Sequence, residues 1–191
     1  MIFKKVKELL DTRVTLPDVR LVVSGAPFGQ VTVEGSWFPR TVTFTGPGTH
    51  PGGAPWTAVV TDHGVTKVLG WTVAPPAVLA AGRTDVSLSL DGQPAQVDPG
   101  RRAMRRATYN ARATLAGRRY ELRQVWFSRA SLLRDGEPVA RLVSAGQPSP
   151  VNVAEWYQGA EPFDLLAAAV LGCSFGVGSP GFLSRLAEEI T

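Results

Sequence analysis

Phe163-Asp-Leu-Leu-Ala-Ala-Ala-Val-Leu-Gly-Cys-Ser-Phe175 is the stretch on which the fold turns. Leu and Ala favour helix, and Gly176 follows where helices commonly end. From Leu165 to Ser184 no residue is charged, which reaches the ~20 residues needed to span a bilayer. The second half, however, reads Gly176-Val-Gly-Ser-Pro-Gly181, a poor spanning helix. Only the 11 residues Leu165–Phe175 are strongly apolar, a length that marks a core helix. A helix apolar on all sides must be enclosed by protein. The expectation is a buried central helix and no transmembrane segment.

The material to enclose it lies upstream. Val19, Leu21 and Val23 alternate with polar or outward residues, as do Val31 and Val33, Val42 and Phe44, and Val86, Leu88 and Leu90. Period-2 runs bounded by Gly, Pro and Asp indicate strands. Further strands are expected at Trp56–Thr61, Val65–Thr72, Pro94–Asp98, Arg105–Leu115, Arg119–Phe127, Ser131–Arg134, Val139–Val143 and Val151–Ala154. Most spacings are too short for crossover helices, so the pairing should be antiparallel. Gly46–Pro55 reads as a loop by composition, and no internal repeat stands out. The fold class expected is α+β, mainly antiparallel β, with about twelve short strands forming a barrel around the buried C-terminal helix. Closure of a sheet on itself removes exposed strand edges.

One hairpin is legible in register. A turn centred on Ala116-Gly117 pairs Ala113 with Tyr120, Ala111 with Leu122 and Ala107 with Trp126, so small residues face large ones. Tyr109 and Trp126 then point inward. Arg112 falls opposite Glu121 on the outer face, and a slip by one residue would turn every arginine into the core.

The chain has 191 residues, 44% hydrophobic and 19% charged, with one cysteine. That suits a single domain with a real core, and excludes both an internal disulfide and a four-ligand zinc cluster built from Cys173, His50 and His63. Residues 1–16 are expected to form an amphipathic helix, with Ile2, Phe3, Val6, Leu9 and Leu10 on one side and Lys4, Lys5 and Lys7 on the other. The lysines break any signal-peptide apolar core. Residues 17–191 form one β-rich domain, closed by a last helix that starts at Ser179-Pro180. The expected location is cytoplasmic, at the inner face of a membrane.

No catalytic, metal or cofactor constellation is legible. Gly172-Cys-Ser174-Phe-Gly176 matches the nucleophile-elbow pattern, but that pattern needs a strand before the serine and a histidine after it. Ser174 reads instead as a core hydroxyl bonded to the carbonyl four residues back. Gly176-Val-Gly-Ser-Pro-Gly181 lacks the βαβ context of a dinucleotide site. His63, in Thr-Asp-His-Gly, reads as a turn residue, and Cys173 as a small buried hydrophobe.

Charge is the feature that folding explains least. Residues 101–141 hold eleven arginines against Glu121, Asp135 and Glu137, a balance of +8, which leaves −4 on the rest of the chain. In the hairpin register Arg106, Arg112, Arg119 and Arg123 share one solvent face, and arginine forks suit phosphate oxygens. The expectation is a non-enzymatic binding module presenting this face to anionic lipid head groups or a phosphorylated partner. Lys4, Lys5 and Lys7 would add to the attraction at a membrane surface. Nucleic acid is the alternative partner, less favoured because Tyr109 and Trp126 face inward. A scaffold whose charges only solubilise it is the third reading.

Tyr120-Glu-Leu-Arg123-Gln-Val-Trp126-Phe-Ser-Arg129, running into Leu132-Leu-Arg-Asp135-Gly136-Glu-Pro-Val139-Ala-Arg-Leu142, resembles the hairpins of the tubby-like superfamily, which includes LURP-one-related proteins and phospholipid scramblases. The resemblance covers roughly Val19 to Phe175. It implies a closed twelve-stranded barrel around a hydrophobic helix, with Phe163–Phe175 as that helix. It also implies phosphoinositide binding through basic surface residues, or action at membranes. No individual phosphate-binding position carries over.

Overall fold

The computed structural model describes residues 19–37, 40–49, 53–63, 85–100, 110–126, 128–144 and 151–177. The expected N-terminal helix with Lys4, Lys5 and Lys7, the strand at 65–72, Arg106, Ala107 and Tyr109, and the helix expected after Ser179 lie outside them.

Among the described residues twelve antiparallel strands form two six-stranded meanders. The first contains β1 (Val19–Ser24), β2 (Gln30–Trp37), β3 (Arg40–Thr49), β4 (Pro55–Asp62), β5 (Val86–Leu90) and β6 (Gln93–Ala95), hydrogen-bonded in that order. The second contains β7 (Val97–Asp98), β8 (Ala111–Leu115), β9 (Arg118–Trp126), β10 (Arg129–Arg134), β11 (Glu137–Val143) and β12 (Asn152–Trp156). The run expected as one strand at Pro94–Asp98 is thus divided, and the chain changes sheet at Gln96. There the Gln96 carbonyl accepts from the Thr114 amide at 2.9 Å. The Gly46–Pro55 loop is shorter than expected, because β3 continues through Gly46-Pro47-Gly48 to Thr49.

Helix α1 (Pro162–Phe175) lies between the sheets and packs on both. Phe163 to Phe175 are all buried, as the sequence led one to expect. Each sheet turns rows of apolar side chains toward it. Leu21, Val33, Phe44, Ala58 and Leu90 follow one another across the first sheet. Ala111, Leu122, Leu132 and Ala140 do so across the second. The helix comes so close to β3 that a Cβ on Gly46 would stand 2.9 Å from Leu166 Cδ1 and 3.1 Å from Leu166 Cβ. A side chain there would have to push Leu166 aside.

The Ala116-Gly117 hairpin has the expected register, with Ala113 opposite Tyr120, Ala111 opposite Leu122 and Arg112 opposite Glu121. Ala116 and Gly117 both have positive φ, 48° and 75°, the two-residue turn that matches strand twist. A repeat that the sequence reading missed lies in two other turns. Ser87-Leu-Ser-Leu-Asp-Gly-Gln-Pro94 and Ser131-Leu-Leu-Arg-Asp-Gly-Glu-Pro138 form equivalent hairpins, one in each sheet. Asp91 N–H donates to the Thr57 carbonyl (2.7 Å) while its Oδ1 accepts from the Thr57 amide (2.9 Å). Asp135 does the same with Arg119, at 2.7 and 2.9 Å. Each aspartate therefore ties its turn to the strand beyond the hairpin.

The helix start carries the main buried polar cluster. Asp164, with no exposed surface, accepts from Tyr120 Oη at 2.8 Å, from Arg134 Nη1 at 2.9 and 3.1 Å, and from the Glu161 amide at 2.7 Å. A residue shift between β10 and β11 at Leu132/Leu133 accompanies an inward Arg134, which lies opposite Tyr120. Burial, and then the Asp164 charge, push the Tyr120 phenol well above its ordinary value, so it stays a donor. At the far end Gln124 Nε2 donates to the Gly176 carbonyl at 3.0 Å. Ser174 differs from expectation: its buried Oγ makes no hydrogen bond among the described residues.

Removing one member of a buried charged set strands the other. Asp164→Ala should therefore lower unfolding free energy by about 3–5 kcal/mol. Arg134→Met with Asp164→Leu should cost less than the two single changes added together, as read from urea melts. Gly46→Val should cost about 1–3 kcal/mol through overpacking against Leu166, whereas an isoenergetic variant would show that the contact can relax.

Candidate functional site

The outer face of the second sheet displays the arginines singled out in the sequence. Arg112 on β8, Arg119 and Arg123 on β9, Arg129 on β10 and Arg141 on β11 are exposed. They occupy outward positions because Ala111, Ala113, Tyr120, Leu122, Ala130, Leu132 and Leu142 take the inward ones. Arg106 lies outside the described residues, so the structure brings together three of the four expected arginines and adds Arg129 and Arg141.

The face is less uniformly positive than the linear charge count suggests. Arg112 Nε donates to Glu121 Oε2 (3.2 Å) and its Nη1 to Asp98 Oδ2 (3.4 Å). Arg123 Nε reaches Glu121 Oε1 at 3.2 Å, and Arg141 pairs with Glu155 at 3.2 Å. Arg119 and Arg129 have no carboxylate partner among the described residues. Partial burial raises the affinity of Glu121 for a proton, but hydrogen bonds from Arg123 and Arg112 outweigh it and hold the carboxyl below its ordinary range. Asn110 Nδ2 adds a third donor at 3.1 Å. Glu121 is thus the fixed point around which two arginines are spread.

At the tip of the β9–β10 hairpin the pattern changes. The β9–β10 register shifts between Arg129 and Ala130, so that Arg129 pairs with Trp126 but Ala130 with Gln124. That irregularity leaves Val125 extra in β9. Buried Gln124 follows the inward alternation of Tyr120 and Leu122, whereas Trp126, expected inside, is 53% exposed beside Val125 at 50%. A bulge of this kind re-aims side chains, and alternation read from sequence cannot register it. The argument against nucleic acid from an inward Trp126 falls with it.

No family model, curated protein or solved structure matches this chain. The chemistry of the face therefore stands on its own residues.

Two concave regions adjoin at Trp56 and Ala116 on the seam between the sheets, with volumes of 420 and 300 Å³. The smaller is bordered by Arg118, whose Nη1 donates to Glu161 Oε2 at 2.7 Å. That hydrogen bond, against a smaller burial cost, lowers the proton affinity of the Glu161 carboxylate. Both charged ends are already committed to each other and to the helix start. His63, in its expected turn, has Nε2 2.8 Å from Ser87 Oγ, on an open strand pair. Cys173 is buried, and burial pushes its thiol far above its ordinary value, which removes the nucleophilic thiolate. Among the described residues no group of three or more His, Cys, Asp or Glu is placed to hold a metal. No described helix is long and apolar enough to cross a membrane.

Because Glu121 and Glu161 bind protons more weakly folded than unfolded, their stabilisation is complete above about pH 4.5 and is lost as pH falls through their lower folded values. Urea midpoints measured from about pH 6 down to about pH 3 should fall. Glu121→Gln should reduce the midpoint near neutrality and flatten part of that slope; an unchanged slope would show that the arginine contacts contribute nothing.

Proposed function

We propose that this chain is a non-enzymatic binding module that presents the outer face of its second sheet to anionic lipid head groups. The supporting observation is Arg119 and Arg129 at outward positions without carboxylate partners among the described residues, with Arg123 between them and half committed to Glu121. A rigid sheet holds these groups at fixed separations, and guanidinium forks bind phosphate oxygens in two-point fashion. Positive charge near an anionic surface contributes about 1 kcal/mol per residue, so several weak contacts add to a useful attachment. Lys4, Lys5 and Lys7, and Arg106 with its neighbours, extend the same charge along the sequence. In this reading the protein is peripheral at a cytoplasmic membrane face.

The same reading takes the two sheets as one closed barrel of the tubby-like kind. Three features support it: β1 adjoins β12, β6 adjoins β8 at the opposite seam, and α1 packs on both sheets. A barrel offers a continuous rigid outer wall, the scaffold that a fixed array of arginines needs. A phosphorylated protein or a nucleic acid would meet the same guanidinium groups and is distinguished by experiment.

Sedimentation with vesicles containing phosphatidylserine should show binding that weakens as salt rises. The triple change Arg119→Gln, Arg123→Gln and Arg129→Gln should lower it about 100-fold, from about 1 kcal/mol per charge. Equal binding to neutral phosphatidylcholine vesicles would refute the proposal.

A further inference from the structure

The apolar half of an interfacial membrane site is built into the same hairpin. Trp126 and Val125 are two of the three large apolar side chains that stand markedly exposed among the described residues; the third, Val22, is on the other sheet. Both lie at the last residues of β9, where the strand is about to turn. Arg129 is the cross-strand partner of Trp126, and Arg123 stands two residues before Val125. The tip thus combines an indole, a branched aliphatic group and two guanidiniums. The bulge that turns Trp126 outward does so while Gln124 stays inside, held by its amide to Asn110 Oδ1 (3.0 Å) and by its side chain to the Gly176 carbonyl. The strand is therefore anchored two residues before the outward tryptophan, at the end of the central helix.

We infer that Val125 and Trp126 are a membrane anchor that enters the interfacial layer of an anionic bilayer while Arg123 and Arg129 engage its phosphates; the inference rests on the lipid-binding reading above and names how that face is seated. Indole rings favour the level of the head groups, where one edge is apolar and the other wet. A half-exposed tryptophan and valine gain from leaving water only if the partner is apolar at that depth. Single-stranded nucleic acid would use the indole by stacking but has no use for Val125, which offers no π face. A phosphorylated protein would satisfy the arginines but would cover the two apolar groups only by bringing an apolar patch of its own beside the phosphate. An anionic bilayer carries phosphate and apolar depth side by side over its whole surface, and so accounts for all four side chains together. Charge draws the face to the surface, and the apolar pair then seats the hairpin tip in the interfacial layer.

The test uses the full chain carrying Trp126→Cys labelled with an environment-sensitive dye; buried Cys173 remains unlabelled. With vesicles containing phosphatidylserine the emission should shift to the blue and be quenched by lipids bearing a shallow nitroxide. Val125→Cys should behave alike, while a dye at Val22→Cys, exposed on the other sheet, should remain in water. Trp126→Ala should weaken vesicle binding about tenfold with the urea midpoint unchanged. Salt-sensitive sedimentation with both tip probes still in water would overturn the anchor and leave the arginine face standing. Failure of the unmodified chain to sediment with anionic vesicles at low salt would overturn both. Blue-shifted probes with a single-stranded oligonucleotide but not with vesicles would replace the bilayer by nucleic acid.

Discussion

An apolar helix that begins with a buried carboxylate governs this structure. Thirteen consecutive residues, Phe163 to Phe175, have to be kept from water, and no single sheet face can cover a helix on all sides. Two sheets are required, and they must agree on where the helix starts. Asp164 fixes that start against the second sheet, while Leu166 packs on Gly46 of the first. Asp164 is held by Tyr120 and Arg134 from the second sheet and by the Glu161 amide of its own first turn. A buried charge with its partners in place tolerates little displacement. The helix is thereby fixed along its axis as well as sideways, and Gln124 closes the other end on the Gly176 carbonyl.

That fixed axis carries through to the surface. β9 supplies Tyr120 to the helix start and Gln124 to its end, so its inward residues are set by the helix. The residues between them, Glu121 and Arg123, then have no choice but to face outward. Beyond Gln124 the inward constraint ends, the bulge follows, and Val125 and Trp126 emerge at the hairpin tip. Core and candidate binding face are two sides of one strand.

Asp-Gly turns show how local chemistry and tertiary pairing cooperate. Aspartate tolerates positive φ and hydrogen-bonds nearby backbone, which suffices to predict a turn. Only the neighbouring strands show that Asp91 and Asp135 each grip the strand beyond their own hairpin. The repeated motif escaped the sequence reading because it is short, and because what repeats is a hydrogen-bond pattern reaching across 34 residues in one sheet and 16 in the other.

What the sequence by itself determined is periodicity and composition: the helix and most strands, the Ala116-Gly117 register, the outward Arg112, Arg119 and Arg123, and a single buried cysteine. These depend on spacing along the chain, which residue order contains. Only the tertiary structure decided what depends on neighbours distant in sequence. The sheet change at Gln96 splits a run that looks continuous. The bulge at Val125 reverses Trp126, and the carboxylates of Asp98 and Glu155, from outside residues 101–141, pair with Arg112 and Arg141 and offset part of the charge excess of the linear count. An arginine's effective charge depends on what lies within a few ångströms of it, and folding settles that distance.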